Sequence, residues 1–301
     1  MVTIDTEKIR IDATAGQTRA FGNAAIDVLR LDLLHPIVSG NKWFKLFYNI
    51  EEAKAEGRDT LITFGGAWSN HLVATAAAAK AAGFKSLGLV RGLHGAVTST
   101  PILQLCRSYG MQLEFLTRSQ YKSKAEKELI GYFQSHHPTA WIIPEGGANE
   151  AGRTGAAHIA EFIPPSYTHV CISVGTGSSF IGLRNALPAS TRLLGFAPMK
   201  SGSYLNNSVA NMLLPEKNCN FELLDRWHFG GFGKWKPELI SFMNQFYEET
   251  SMPLDVVYTG KMMYGVSDLL KEGYFSSRDR VLCIHTGGLP GNASVSNLLR
   301  F

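Results

Sequence analysis

The chain is poor in cysteine: Cys106, Cys171, Cys219 and Cys283 lie far apart, and no two form a CxxC pair. Structural zinc needs soft ligands paired at short spacing, so none is expected, and scattered single thiols fit a reducing, cytoplasmic setting. His136-His137 precedes a proline without a further ligand at metal spacing and is expected in a surface loop. No apolar run approaches the roughly 18–20 residues of a membrane span, so no membrane partner is expected. The opening stretch MVTIDTEKIRID mixes charges with single apolar residues, so no secretory leader is expected. Charged residues make up only 18% of the chain, and the net charge of +4 is spread thinly. Without a dense Lys/Arg block to neutralise phosphates, nucleic acid is not an expected partner. A G-x-x-x-x-G-K-[ST] phosphate loop is absent too.

What is present is a globular chain of 301 residues, 45% of them hydrophobic, enough for two domains. Short apolar runs alternate with helical patterns. DTLITFGG reads as a buried strand, SNHLVATAAAAKAAG as a helix capped by Ser69 and stopped at Gly83, and KSLGLVRG as the next strand. The rhythm continues through MQLEFLT and AWIIPEGG, then restarts after Pro164-Pro165 with YTHVCISVGTGSSFIGLRNAL, TRLLGFAP and DRVLCIHTGG. This pattern predicts an α/β fold with parallel sheets covered on both faces. The expected division is a domain of residues 1–44 and 161–301 and a smaller one of 45–160. Three strands end in glycine turns, at 65–66, 175–177 and 287–288, and ligands of open parallel sheets bind at such carboxyl ends.

Each turn offers chemistry beside a plainer alternative. In VGTGSSFIG, the amides of Gly177, Ser178 and Ser179 could face a phosphate, or the segment could be only a tight turn with a serine cap. Its spacing departs from G-x-G-x-x-G, and no acidic residue ends the next strand, so a dinucleotide is disfavoured. In GGAWSNHL, Ser69 could be a simple cap, but Asn70 and His71 follow it at a helix mouth that favours anions. In SGNKWFKL, Ser39 or Asn41 would cap a helix whose buried stripe is Leu46, Phe47, Ile50 and Ala53. Lys42 stands in the first turn of that helix, where the dipole opposes an ammonium and favours the free amine. The usual reading of such lysines is a solvated surface. A free amine near a phosphate cradle instead suggests a Schiff base with pyridoxal phosphate. Lys45 could reach the phosphate or face solvent. Tyr258 and Tyr264 flank Gly260-Lys261 in what reads as a loop; either could pack, and Tyr258 could move a proton. Thr286, in HTGGLPG, could offer its hydroxyl to a ring nitrogen or merely end a strand.

Five motifs in order, G-N-K-x-x-K-L (40–46), G-G-x-x-S-N-H (65–71), T-G-S (176–178), V-Y-T-G-K (257–261) and H-T-G-G-x-P (285–290), resemble the 1-aminocyclopropane-1-carboxylate deaminase/D-cysteine desulfhydrase family. The resemblance implies a two-domain open parallel-sheet sandwich of the tryptophan synthase β-like type (fold type II), with pyridoxal 5'-phosphate in the cleft between domains. It implies that Lys42 carries the cofactor and shuttles protons, and that Lys45 with Gly175, Thr176, Gly177, Ser178 and Ser179 holds the phosphate. Asn70 would contact cofactor or substrate. Ser69 would hold the substrate carboxylate, with His71 beside it. Tyr258 would be catalytic, and Thr286 would face the pyridine nitrogen. A neutral partner there suits elimination or ring opening more than transamination. His71 follows Ser-Asn as in desulfhydrases, where the deaminases typically have Gln. The expectation is a cytoplasmic homodimer that eliminates a β-substituent from a small amino acid, giving a 2-oxo acid and ammonia. The alternatives are cyclopropane ring opening, racemisation, or a phosphate-ligand binding protein without catalysis.

Overall fold

The computed structural model describes residues 5–200 and 204–301. Ten strands form two sheets: β1 (Ile11–Ala13), β2 (Ile26–Arg30), β3 (Thr60–Gly65), β4 (Lys85–Arg91), β5 (Gln112–Leu116), β6 (Ala140–Ile143), β7 (His169–Ser173), β8 (Arg192–Phe196), β9 (Phe221–Leu224) and β10 (Val281–His285). The larger sheet has the order β1-β2-β10-β7-β8-β9, and the smaller has β5-β4-β3-β6. All neighbours run parallel except β1, which pairs antiparallel with β2 at the edge. The central strands are buried over nearly their whole length, as continuous apolar runs such as VLCIH require when helices cover both faces.

The βα rhythm marked seven of these strands. It did not mark β1, β2 and β9, whose sequences carry polar residues that find partners in the fold. In β2, Arg30 is buried and its guanidinium pairs with Asp32 at 2.7 Å and Asp12 at 2.8 Å, while Asp27 accepts the Tyr167 hydroxyl at 2.7 Å. Those partners let a charged stretch enter the sheet that an apolar pattern alone would not reveal.

Three local expectations are corrected. The Asn41–Ala55 helix is capped by Gly40, without a side-chain cap from Ser39 or Asn41. Gly40 has φ of 61°, and a Cβ there would fall 1.9 Å from the Thr286 carbonyl oxygen, so the position admits only glycine. The buried face of this helix also differs, with Phe44, Lys45 and Asn49 joining Leu46, Ile50 and Ala53 while Phe47 is only partly covered. The stretch around Tyr258 is not a loop: Tyr258 caps the Thr259–Lys271 helix. His136 ends the Lys127–His136 helix, and both histidines lie on the outside of the molecule.

Three helices approach one another backbone to backbone. A Cβ on Gly155, in the Glu150–Ala157 helix, would lie 1.9 Å from the Phe44 carbonyl oxygen. A Cβ on Gly182, in the Ser178–Ala186 helix, would lie 2.2 Å from the Arg153 carbonyl oxygen. Glycine at these points seats both the lysine-bearing helix and the helix that follows the 175–177 turn against the Glu150–Ala157 helix between them. Replacing Gly155 or Gly182 by Val is expected to lower stability by about 1–3 kcal/mol or more, read as a fall in thermal midpoint. Gly131→Ala serves as the control. It is an exposed helical site with nothing within 4 Å of a new Cβ, so it should hold or raise the midpoint.

Candidate active site

The carboxyl ends of β3, β7 and β10 supply the three glycine turns, and Gly287 and Gly288 of the last are closely packed by other segments. Gly287 (φ 74°) packs so closely that a Cβ would lie 2.3 Å from Ser39 Oγ. A Cβ on Gly288 would lie 3.3 Å from Asn70 Nδ2 and 3.3 Å from the Asp255 carboxyl carbon. Asn70 Nδ2 donates to the Gly288 carbonyl at 2.8 Å. Segments around residues 39, 70, 255 and 287 thereby converge on one turn.

The lysine motif sits above this junction. Lys42 Nζ donates to Asn41 Oδ1 at 2.7 Å, and Asn41 Nδ2 donates to Ser179 Oγ at 3.0 Å. One asparagine thus ties the Lys42 amine to the glycine loop. Lys42 is half-buried and Lys45 almost wholly buried. Desolvation lowers the Lys42 pKa to about 8, against the opposing pull of the Asp255 charge. Desolvation, with the Lys42 charge adding to it, lowers that of Lys45 to about 7. Lys45 Nζ reaches the Gly146 carbonyl, and a Cβ on Gly147 would touch the Lys45 stem at 3.3 Å. Neither lysine makes an ion pair among the described residues.

The glycine loop itself leads from β7 into the Ser178–Ala186 helix, whose cap is Gly177 in the left-handed region (φ 85°), not a serine side chain. Ser178 Oγ donates to the Gly147 carbonyl at 2.9 Å, and Thr176 lies against Gly146. The Tyr258 hydroxyl would lie 3.2 Å from a Cβ on Gly175, so it hangs directly over the loop. Ser69 caps the Asn70–Ala82 helix, its Oγ accepting from the Leu72 amide at 3.4 Å. The Asn70 Oδ1 atom is buried without a partner. The Thr63 hydroxyl donates to the Ile143 carbonyl at 2.9 Å, so the His71 Nε2 proton goes to Thr63 Oγ1 at 2.9 Å, and Nδ1 is left a buried, unpartnered acceptor. Burial, then the charges of Lys45 and Lys42, lower the His71 pKa to about 3, so this imidazole is neutral. Thr286 is buried at the end of β10, with its backbone carbonyl against Gly40.

Tyr264 packs against Phe229 and Phe242, whereas Lys42, Lys45, Ser69, Asn70, His71, the 175–179 loop, Tyr258 and Thr286 lie on or beside the three turns. Three others belong with them and were not singled out. Asp255 is 1% exposed; its carboxylate accepts the amides of Val257, Tyr258 and Thr259 at 2.8–3.0 Å and the Thr259 hydroxyl at 2.7 Å. It fixes Tyr258 at the helix mouth, and an acid shortly before a helical pattern was the available signal. Gly146 and Gly147 supply the wall against Lys45 and Thr176, but a Pro-Glu-Gly-Gly turn carries no chemistry visible in sequence.

The donor set suits a phosphorylated aldehyde: two desolvated amines, free to bond or to pair with an anion, beside a helix-mouth loop with two serines, and orphaned polar atoms at Asn70 and His71. Residues 19–287 match the family described as pyridoxal-phosphate dependent enzyme. A Pyrococcus furiosus protein provisionally named 1-aminocyclopropane-1-carboxylate deaminase is 32% identical over 289 residues, covering 89% of this chain and 86% of the relative. The D-cysteine desulfhydrase of Klebsiella pneumoniae is 27% identical over 286 residues, covering 88% and 87%. The crystal structure of an ACC deaminase homologue superposes with a TM-score of 0.82 at 26% identity, over 97% of this chain and 94% of that one.

Burial of the Lys45 ammonium has a measurable consequence. The unfolded chain keeps that proton up to about pH 10.5, and the folded chain releases it near 7. The charge therefore weighs on the fold most below pH 7 and progressively less as pH rises toward 10.5. In cofactor-free protein, Lys45→Met is expected to raise the urea midpoint at pH 6.5, and the gain should shrink by pH 9. A gain that is constant with pH would show that the ammonium is not desolvated.

Proposed function

Because the chain belongs to the pyridoxal-phosphate dependent enzymes, within the 1-aminocyclopropane-1-carboxylate deaminase/D-cysteine desulfhydrase family, we propose that it eliminates a β-substituent, such as a thiol, from a small amino acid and releases a 2-oxo acid and ammonia. The observation that carries this reading is the Lys42–Asn41–Ser179 chain of hydrogen bonds, which holds a desolvated amine against a phosphate-sized loop. The bound cofactor supplies an aldehyde for an amine and an electron sink for negative charge at the substrate α-carbon.

The protein's own groups do the rest. The amides of Gly175–Ser179 and the Lys45 ammonium hold the phosphate, whose charge offsets the cost of burying that cation. Thr286 offers a neutral hydroxyl to the ring nitrogen. Ser69 and the free amides of its helix mouth hold the substrate carboxylate, and the unpartnered Asn70 Oδ1 waits for a donor on cofactor or substrate. Lys42, with a pKa near 8, is neutral in part at physiological pH and can take the α-proton. Tyr258, held in place by Asp255 above Gly175, can protonate or deprotonate the group that leaves. His71 is neutral and helps shape the carboxylate pocket without adding charge.

The relatives' names support cyclopropane ring opening as a second reading. His71 after Ser69-Asn70 favours elimination. The proposal includes a reducing, cytoplasmic setting, in keeping with four unbridged cysteines, and a homodimer, in keeping with the family likeness. No helix among the described residues is long and apolar enough to cross a membrane.

Protein loaded with pyridoxal phosphate should absorb near the visible edge, and Lys42→Ala should lose that band and about 100- to 10,000-fold in turnover. Hydrogen sulfide released from D-cysteine supports elimination; 2-oxobutanoate from 1-aminocyclopropane-1-carboxylate with no sulfide would replace it by ring opening. Tyr258→Phe should lower kcat by about 100-fold or more while leaving the band in place. A variant as active as the parent would remove Tyr258 from the proton path.

A further inference from the structure

A cavity of about 490 Å³ opens at the carboxyl ends of β3, β4 and β5, beside the glycine turn that leads into Ser69. Arg91, Arg118 and His94 project from its wall, Trp68 forms part of its rim, and no aspartate or glutamate lines it. Solvated surface arginines are common, and most mean nothing. These two differ in sharing one concavity without acidic neighbours. Neither makes an ion pair among the described residues. The nearest acid to Tyr121, which packs 5.9 Å from the Arg91 guanidinium, is Glu145, and it is already taken by the Tyr121 hydroxyl at 2.8 Å and by Lys124 at 3.4 Å.

The cavity is joined to the substrate-carboxylate position by a single turn. The Ser69 amide donates to the Gly66 carbonyl at 3.0 Å, so the two residues lie within about 7 Å at Cα. A Cβ on Gly66 would lie 3.7 Å from Arg91 Nη2. The Ser69 Cα therefore lies no more than about 12 Å from Arg91 Nη2, a span within reach of a bound amino acid that carries a short anionic side chain. Two guanidiniums lining one concavity, neither in an ion pair among the described residues, suit a carboxylate, sulfonate or phosphate.

We propose that this cavity selects amino acids whose side chain carries an anionic group, with Arg91 and Arg118 binding that group while the α-carboxylate sits at Ser69 and Asn70. The inference rests on the elimination reading above and gives its substrate class. Arg91 and Arg118 act here as specificity-determining residues, away from the bonds that break.

The test compares S-sulfocysteine with S-methylcysteine, which share a β-thio substituent and differ in charge, in both enantiomers. The holoenzyme should favour the anionic compound in kcat/KM by about tenfold or more, as expected for hydrogen bonds to a charged group. The preference should shrink in about 0.5 M salt, where exposed charges are screened. Arg91→Gln and Arg118→Gln should each cut the ratio by about tenfold, and Arg91→Lys should cut it less. A ratio near one in the parent, or equal losses for both compounds in the variants, overturns the proposal. Calorimetric affinities of the two compounds for the holoenzyme should show the same preference without turnover. A visible-edge band with turnover of S-methylcysteine but no anion preference sinks only the cavity's role, whereas absence of both band and turnover sinks the elimination reading itself.

Discussion

Close approach of backbones at glycine is the constraint on which the rest of this molecule depends. Gly40 lies so near the Thr286 carbonyl, and Gly155 so near that of Phe44, that any side chain would force the segments apart. These contacts bring the start of the lysine-bearing helix onto the end of β10 and seat it against the Glu150–Ala157 helix, which also packs on the glycine-loop helix. A packed interior transmits such a displacement instead of absorbing it. Moving the helix by the width of a methyl group would break the Lys42–Asn41–Ser179 chain.

Once the helix is seated there, its two lysines are committed to low dielectric. Desolvation is the leading cause of the lowered pKa at both, and each raises the difficulty of charging its neighbours, His71 included. Asp255 is the acid that acts on Lys42, yet its oxygens are engaged by three amides and a hydroxyl, so it offsets the burial without pairing with the amine. The same carboxylate caps the helix that presents Tyr258. The result is a site with cationic capacity in excess of its own anions, suited to an anionic cofactor and to an amine that can lose its proton near neutral pH. Lys261 shows the contrast. It too is buried, but its amine is spent on the carbonyls of His228 and Gly231 at 3.0 Å, which makes it a brace for that loop.

Much of the architecture was legible because parallel strands buried on both faces leave apolar runs, and the turns that follow them need glycine. β7 and β10 are of this kind. β1, β2 and β9 were not legible, since their polar residues are admitted by partners that only the fold supplies, such as Tyr167 for Asp27 and Asp12 and Asp32 for Arg30. Ser69 was readable as a cap from its position before an apolar helix, and the structure bears this out. The cap of the lysine helix was misread, because Gly40 is required by a carbonyl 246 positions later. The Gly146–Gly147 wall escaped notice for the same reason, since it faces Lys45 and Thr176 from elsewhere in the chain, whereas Asp255 caps its own helix and left a local signal.

The sequence by itself determined the alternation of elements, the three glycine turns at strand ends and the ordered motifs that place the chain in its family. These follow from local periodicity and from residue types that tolerate few other roles. Only the tertiary structure decided that Lys42 and Lys45 are desolvated, that Asn41 joins the amine to Ser179, and that Arg91 and Arg118 share one concavity. Charge state and coordination depend on dielectric and distance, and both are set by segments that the chain brings together from opposite ends.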